Sequence, residues 1–331
     1  MIQARNITKH YGDKVAVDAI SFTVAPGKVT GFLGPNGAGK STTMRMIVGL
    51  DRLTAGAVTI NGRPYAEHAS PLTEVGVLLE ANAVHTGRSA VDHLRAVAAT
   101  HGFGRRRVEQ VIDMTGLHSV AGKRVGGFSL GMGQRLGLAV ALLGDPHTLI
   151  LDEPVNGLDP EGVLWVRNLL RQLAAEGRTV FLSSHLMSEM ALTADHILVI
   201  GRGRIIADAP VADIIARSSG TSVTVRTPEP GRLADLLRGP DVTITPADDG
   251  SLEVRGTTAQ VIGEAAAYAG LVLHELAPDR GSLEDSYMSL TAGAVEYHAT
   301  GRPSADPTTQ TAQTAPVPAT RQSPNLKETH R

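Results

Sequence analysis

The sequence predicts an α/β fold built around a mostly parallel sheet that helices cover on both faces. Short apolar runs at residues 148–151 and 179–182 alternate with segments of helical spacing. Strands that are buried on both faces show such continuous apolar runs. In addition, residues 1–24 are rich in strand formers between turns, and residues 88–143 carry mostly helical spacing between strands. We therefore expect an antiparallel β part and an inserted helical subdomain beside the parallel sheet.

Length and composition limit the class of protein. The 331 residues suffice for one large and one smaller domain, and the net charge of −2 argues against a nucleic-acid partner. The absence of cysteine excludes disulfides and zinc–thiolate sites. The longest apolar stretch, residues 136–143, is about half of the roughly 18 residues that span a bilayer. We expect a soluble chain, with any membrane-spanning function supplied by another polypeptide.

The early β-rich segment carries an aromatic residue, Tyr11, just before the turn at Gly12 and Asp13. If the glycine-rich segment at residues 34–42 binds phosphate, a tyrosine near it can stack on a nucleotide base. A surface tyrosine at a strand end fits the spacing equally well. The residues alone leave both interpretations open.

A glycine-rich loop gives the strongest functional signal in the chain. Residues 34–42 match G-x-x-x-x-G-K-[ST], between an apolar strand at 28–33 and a helix predicted at 41–50. The loop consists of Gly34, Pro35, Asn36, Gly37, Ala38, Gly39, Lys40, Ser41 and Thr42. Its glycines let successive amides face one anion, Lys40 can reach the β- and γ-phosphates, and Ser41 can ligate Mg²⁺. A chance match is the alternative, which the strand–loop–helix context disfavours.

Two carboxylates follow a buried strand in the second half of the chain. Asp152 and Glu153 come directly after residues 148–151, a strand that we expect beside the strand entering the loop. Asp152 can hold Mg²⁺ through water, and Glu153 can orient and deprotonate an attacking water. The alternative is that the acidic residues cap the next turn. A cap needs only one carboxylate, so this alternative does not explain the pair.

A histidine ends the strand predicted at residues 179–182. His185 follows Ser183 and Ser184, a usual place for a γ-phosphate sensor. Taken alone, a histidine at a strand end is more often structural. Its functional interpretation depends on the loop and the carboxylates found with it.

The remaining elements complete the sheet and add a second unit. Asp159 caps a helix predicted at 159–177, and residues 197–207 form a hairpin. From residue 221 to 276 the predicted order is β-α-β-β-α-β, a small split βαβ unit whose last strand covers 271–276. A final helix starts at a capping box formed by Ser282 and Asp285.

In order and spacing, these motifs resemble the nucleotide-binding subunit of an ATP-binding cassette (ABC) transporter over about residues 1–215. The matching residues are Tyr11 for the adenine-stacking aromatic, residues 34–42 for the phosphate loop, Asp152 and Glu153 for the second nucleotide motif, Asp159 for the D-loop and His185 for the switch histidine. The expected fold class is therefore α/β: the resemblance implies a P-loop NTPase cassette, and the residue pattern adds a small α/β C-terminal unit.

The resemblance also implies ligands and roles, and the sequence pattern predicts the domains. ATP and Mg²⁺ are the implied ligands, with Ser41, Asp152 and Glu80 as candidate metal ligands and Lys40, Glu153 and His185 as catalytic residues. We expect a cassette at 1–217 with a helical insert at about 81–144, and the change in pattern after residue 217 predicts an accessory domain at 219–293. Residues 299–331, rich in Thr, Pro, Gln and Ala, are predicted to be disordered.

The family signature, LSGGQ, is only partly retained. Ser129, Leu130, Gly131 and Met132 occupy its place before a helix predicted at 132–143, and only the serine and one glycine match. In the family this segment contacts the nucleotide on a second cassette, so the resemblance implies a head-to-tail homodimer. Ser129, the Gly131 amide and the helix dipole can all face a phosphate, so we expect function to survive.

Glu80 stands where the family usually has the glutamine of the Q-loop. A carboxylate can still approach Mg²⁺ or the water, but it donates no hydrogen bond and adds negative charge near the phosphates. A solvent-facing Glu80 in a degenerate loop is the alternative. We expect Glu80 to keep the coupling role, because the strand before it and the helical insert after it are intact.

The partly retained signature, Glu80 and the C-terminal unit resemble the drug- and antibiotic-exporter branch of the family. There the cassette powers integral membrane permease subunits from the cytoplasmic face of the cell membrane. We therefore expect ATP hydrolysis that drives export of a drug-like or antibiotic small molecule. A soluble ABC ATPase with a regulatory or ribosome-associated role is the alternative, which the single phosphate loop and the lack of sustained heptads disfavour. A phosphate-loop kinase is a third class, against which the signature argues.

Overall fold

The structure, a computed structural model, describes residues 1–79, 84–218, 222–278 and 282–291. Glu80 and the predicted disordered tail at 299–331 lie outside these described residues. The strands are β1 Ile2–Tyr11, β2 Lys14–Val24, β3 Val29–Leu33, β4 Ala55–Ile60, β5 Val75–Leu78, β6 Thr148–Asp152, β7 Thr179–Ser183, β8 His196–Gly201, β9 Arg204–Pro210, β10 Ser222–Arg226, β11 Thr243–Pro246, β12 Leu252–Arg255 and β13 Glu275–Pro278.

Helices separate most of these strands. They are α1 Lys40–Ile47, α2 Pro71–Glu74, α3 Ala90–Thr100, α4 Arg105–Met114, α5 Leu130–Leu142, α6 Pro160–Ala175, α7 Met187–Thr193, α8 Val211–Ser218, α9 Pro230–Leu237, α10 Ala259–Tyr268 and α11 Leu283–Thr291. The block α3–α5 lies between β5 and β6 in the chain, as the helical spacing predicted. Within the parts of the chain that the structure describes, no helix is both long and apolar enough to cross a membrane.

The central sheet has the strand order β5-β6-β7-β3-β8-β9. Neighbours from β5 to β8 are parallel, and β9 pairs antiparallel with β8. The predicted mostly parallel sheet is therefore present. One detail of the prediction is wrong: β7 lies between β6 and β3, so Asp152 does not end the strand next to the loop strand. Because parallel strands end at one edge, Asp152 and the loop still meet there.

Two hydrophobic clusters cover the two faces of this sheet. One contains Leu94, Val111 and Leu136 of the helical block together with Leu151 of β6. The other joins the antiparallel sheet β2-β1-β4 and α1 to the opposite face, where the rings of Phe22, Phe32 and Phe181 lie 5.2–6.1 Å apart. The loop between β3 and α1 thus leaves from a sheet that is packed on both sides.

The C-terminal elements form a separate antiparallel sheet, β11-β12-β10-β13, with its own apolar cluster. The predicted order β-α-β-β-α-β is present, but the last strand starts at Glu275 rather than at residue 271. The amide of Leu271 instead closes the end of α10 by bonding to Ala266 O at 2.9 Å, and its side chain is buried. Residue 271 thus lies just beyond the helix and satisfies one of its last carbonyl groups, and its apolar side chain does not belong to a strand.

Candidate functional site

The phosphate loop joins β3 to α1 and is held tightly against its neighbours. Gly39 has a φ of +110°, and a Cβ at this position would lie 2.7 Å from the carbonyl oxygen of Ala16. A Cβ at Gly34 would lie 2.4 Å from the carbonyl oxygen of Ile200. Both positions therefore require glycine. Gly39 also provides no side-chain cap for α1, so the first amides of the helix remain suited to an anion.

Lys40 begins α1 and points back into the loop. Its Nζ donates to the carbonyl oxygens of Gly34 at 2.6 Å and Pro35 at 3.2 Å. Burial lowers the pKa of Lys40, while the nearby carboxylates of Glu153 and Asp152 oppose that shift. The loop therefore holds an ammonium group within the range of two carboxylates, where a phosphate can exchange for the carbonyl contacts.

The carboxylate of Asp152 links the loop to β7. One oxygen accepts from Ser41 Oγ at 2.6 Å, and the other accepts from Ser183 Oγ. Mg²⁺ prefers such hard oxygen ligands, usually one or two carboxylates and hydroxyls with substrate phosphates. Ser41 and Asp152 therefore form a donor set that fits Mg²⁺. Ser183 fixes the orientation of the carboxylate from the far side.

Glu153 adopts a φ of +51°, which non-glycine residues rarely do and which costs about 1–3 kcal/mol. Two contacts hold this turn: its amide donates to Ser183 Oγ at 3.1 Å, and its carbonyl accepts from Gln134 Nε2 at 2.9 Å. The carboxylate lies 2.7 Å from Nδ1 of His185 and also accepts the His185 amide at 3.3 Å. The candidate general base and the candidate γ-phosphate sensor are therefore in contact.

A cavity of about 270 Å³ lies in front of these groups. Its lining includes the loop residues from Gly39 to Thr42, together with Asp152 and Glu153. The arrangement places an ammonium, a hydroxyl and two carboxylates around one opening. Such a set can bind a metal-bound triphosphate and activate water next to it.

Tyr11 lies beside this cavity rather than in its lining. Its hydroxyl donates to Asp51 at 2.9 Å and also interacts with Thr42. Tyr11 is 48% exposed as a residue, and Lys9 Nζ lies 4.8 Å from the centroid of its ring. One exposed aromatic surface therefore stands next to the last residue of the phosphate loop.

The signature segment lies on α5 and lines no part of that cavity. The helix starts at Leu130, two residues earlier than predicted, and Ser129 caps it by accepting from the Met132 amide at 3.3 Å. A Cβ at Gly131 would lie 2.8 Å from the carbonyl oxygen of Gly157, two residues before Asp159. The signature thus packs against the loop that leads to α6.

Asp159 caps α6, as the sequence predicted. Its Oδ1 accepts from the Gly162 amide at 2.9 Å, and Pro160 occupies the first turn. The side chain is therefore already engaged within its own subunit.

Sequence reasoning missed two positioning residues. Ser183 contacts both carboxylate residues, and Gln134 ties the signature helix to Glu153. Ser183 lies opposite Asp152 in the β6–β7 register, a pairing that sequence spacing does not reveal. Gln134 offered one signal: a buried glutamine among apolar residues of a helix needs a partner.

Comparison with known proteins extends these observations. A family model described as "ABC transporter" matches residues 17–156, an AAA domain model matches 124–191, and a domain of unknown function matches 221–284. The uncharacterized ABC transporter ATP-binding protein YhcH of Bacillus subtilis is 34% identical over 89% of this chain and 97% of that protein. The bacitracin transport ATP-binding protein BcrA of Enterococcus faecalis is 33% identical over 88% of this chain and 97% of that protein. A solved structure of an ABC transporter ATP-binding subunit aligns with a TM-score of 0.60 and 26% identity over 66% of this chain and 92% of that chain.

The fold and the site together define a P-loop nucleoside triphosphatase. The relatives specify more: the chain belongs to the ATP-binding subunits of ABC transporters. Members of this class bind ATP and couple its hydrolysis to transport, which agrees with the expectation from the sequence.

Proposed function

We propose that this chain is the ATP-hydrolysing subunit of an exporter for a peptide antibiotic or a similar drug-like molecule. In this proposal it acts at the cytoplasmic face of the cell membrane, bound to integral membrane permease subunits. The observation that carries the proposed ATPase site is the convergence of Lys40, Ser41, Asp152, Glu153 and His185 on one sheet edge. The cargo class is supported by the likeness to BcrA over nearly the whole length of that protein.

Each residue of the site has a proposed role. Lys40 exchanges its carbonyl contacts for the β- and γ-phosphates, and Ser41 and Asp152 would hold Mg²⁺. Bound Mg²⁺ neutralises phosphate charge. Glu153 orients a water and takes its proton as the water oxygen bonds to the γ-phosphorus and the bridging oxygen leaves. His185 holds the Glu153 carboxylate and senses the γ-phosphate, and Tyr11 stacks on the adenine.

A second copy of the cassette would complete the nucleotide site. Ser129 and Gly131 lie outside the cavity of their own subunit, with Gly131 at the start of a helix. That placement suits contact with a phosphate on a partner subunit in a two-fold dimer. ATP binding would bring the two cassettes together, and Glu80 and the helical block would transmit this closing movement to the permease.

A detergent pull-down tests this proposal. With the tagged full chain as bait in membranes of the source cell, we expect an integral membrane protein to co-purify. We also expect bacitracin to raise the ATPase rate of that complex more than a polar peptide of similar size does. Recovery of the chain without a membrane partner would instead support a non-transport ATPase.

The contact between the signature and the loop before Asp159 gives a second prediction. In the G131A variant the new methyl group collides with the carbonyl of Gly157, a backbone atom that must shift. Because this shift moves the signature relative to the loop before Asp159, we expect about a tenfold loss of ATPase turnover. The matched control is G133A on the same helix, where a Cβ meets nothing within 4 Å. Equal turnover of the two variants in a steady-state ATPase assay would contradict a functional contact.

A further inference from the structure

The C-terminal unit contains a cleft of about 490 Å³ between α9 and the edge strand β11. From the helix, Pro230 and Ala234 line it at four-residue spacing and share one stripe of α9, and Arg238 directly follows the end of the helix. From the strand side, Val242, Ile244 and Pro246 line it in alternation and therefore share one face. The volume falls in the range of about 300–1,000 Å³ that is typical of small-molecule sites.

The cleft exists because the helix stripe facing the strand carries small side chains. Leu233 and Leu237 of α9 are buried in the apolar cluster of this unit and fix the distance of the helix from the sheet. On the adjoining stripe, Gly231 has no side chain, and a Cβ built there meets nothing within 4 Å. The helix is thus held in place by its leucines while its small residues leave a space beside them.

The lining of the cleft is apolar except for one positively charged side chain. Seven of the eight lining residues have no polar group in their side chains, and the eighth is Arg238. None of the described residues that line the cleft carries a carboxylate. Arg238 pairs outside the cleft with Asp235 at 3.3 Å, with side chains 78% and 75% exposed, respectively. Such exposed pairs are weak and screened by salt, so an acidic ligand can replace Asp235.

We propose that this cleft is a binding site for a small molecule with an apolar body and one acidic group. The body lies between α9 and β11, and the acidic group pairs with Arg238. An apolar body gains from leaving water, and a single guanidinium selects one anionic group at its end. The site goes beyond the ATPase proposal and does not depend on it.

Two fluorescent probes test the proposal on the full chain with saturating ADP, which occupies the nucleotide site. 1-Anilinonaphthalene-8-sulfonate combines an apolar body with a sulfonate, and N-phenyl-1-naphthylamine has the same body without it. For R238Q we expect sulfonate binding to weaken by about threefold, the effect of one exposed ion pair, while binding of the neutral probe stays unchanged. For D235N we expect tighter sulfonate binding, because the competing carboxylate is gone.

A steric variant tests the location. G231L fills the cleft and favours the helix, so we expect both probes to bind at least about tenfold more weakly. G104L is the matched control, since a Cβ there also meets nothing within 4 Å but lies far along the chain, at the start of α4. Equal binding to G231L and wild type would overturn the proposal, as would equal losses of both probes in R238Q.

Two parallel measurements distinguish a ligand cleft from a dimer interface and from an effect at the nucleotide site. If G231L or R238Q turns a dimer into a monomer on size-exclusion chromatography, the cleft is an interface between copies of this chain and the ligand proposal is wrong. The ATPase rate is recorded on separate aliquots of the same preparations, with ATP and without ADP. A wild-type chain without ATPase activity would refute the proposed function and would leave the probe result unaffected.

Discussion

Replacing Glu153 with glutamine is expected to lower the rate of ATP hydrolysis by about 10²- to 10⁴-fold, the range of general-base catalysis. Glutamine keeps the shape and the hydrogen bond to His185 but cannot accept a proton from water. Because a negative charge near the γ-phosphate also disappears, ATP affinity should be unchanged or higher. The measurements are single-turnover hydrolysis and equilibrium nucleotide binding on the same preparation.

The E153Q variant should also accumulate as an ATP-bound dimer, because the two cassettes close on ATP but do not hydrolyse it and therefore do not separate. Size-exclusion chromatography with ATP checks this. E161Q is the control, because Glu161 lies in the first turn of α6 and not in the lining of the nucleotide cavity. Turnover of E153Q at the wild-type rate would refute the role given to this carboxylate.

The second large effect is expected at Lys40. In K40A we expect ATP affinity to fall on the order of 10²-fold, because charge-assisted hydrogen bonds to the phosphates are lost. Burial lowers the pKa of Lys40, so its buried positive charge reduces the stability of the protein without nucleotide. Removing it should therefore leave the stability without nucleotide unchanged or slightly higher.

Thermal unfolding with and without ATP separates these two effects. At a concentration 100 times Kd, a ligand adds about 2.7 kcal/mol to stability, and a 10²-fold loss of affinity reduces this to about 0.4 kcal/mol. The ATP-induced rise in Tm should thus nearly vanish in K40A. K28A, an exposed lysine just before β3, is the control. An unchanged ATP-induced rise in K40A would contradict the phosphate role of this lysine.

Local chemistry made much of the site predictable. The glycine-rich loop and the paired acids each occupy a short stretch of sequence. Phosphate binding requires the glycines and metal binding requires a carboxylate, so both features can be recognised from the residue types alone. The cap at Asp159 and the capping box at Ser282 were also predictable, because each needs only a few adjacent residues. Such features depend on atoms that the chain itself keeps close together.

Contacts between distant segments were harder to predict. The sequence suggested that Asp152 ends the strand next to the loop strand, whereas β7 lies between them and supplies Ser183 to both carboxylates. The bond from Gln134 to Glu153 and the fit of Gly131 against Gly157 also join separate parts of the chain. Strand order and helix packing decide such neighbours.

By itself, then, the sequence determined the α/β class, the phosphate loop, the acidic pair and the family resemblance, because each depends on patterns of residues that are close along the chain. Only the tertiary structure decided which hydroxyl orients Asp152, what holds Glu153 at a positive φ, and that small residues of α9 leave a cleft beside β11. The physical reason is that these features depend on side chains from different elements, whose distances are set by the packing of the sheet and helices as a whole.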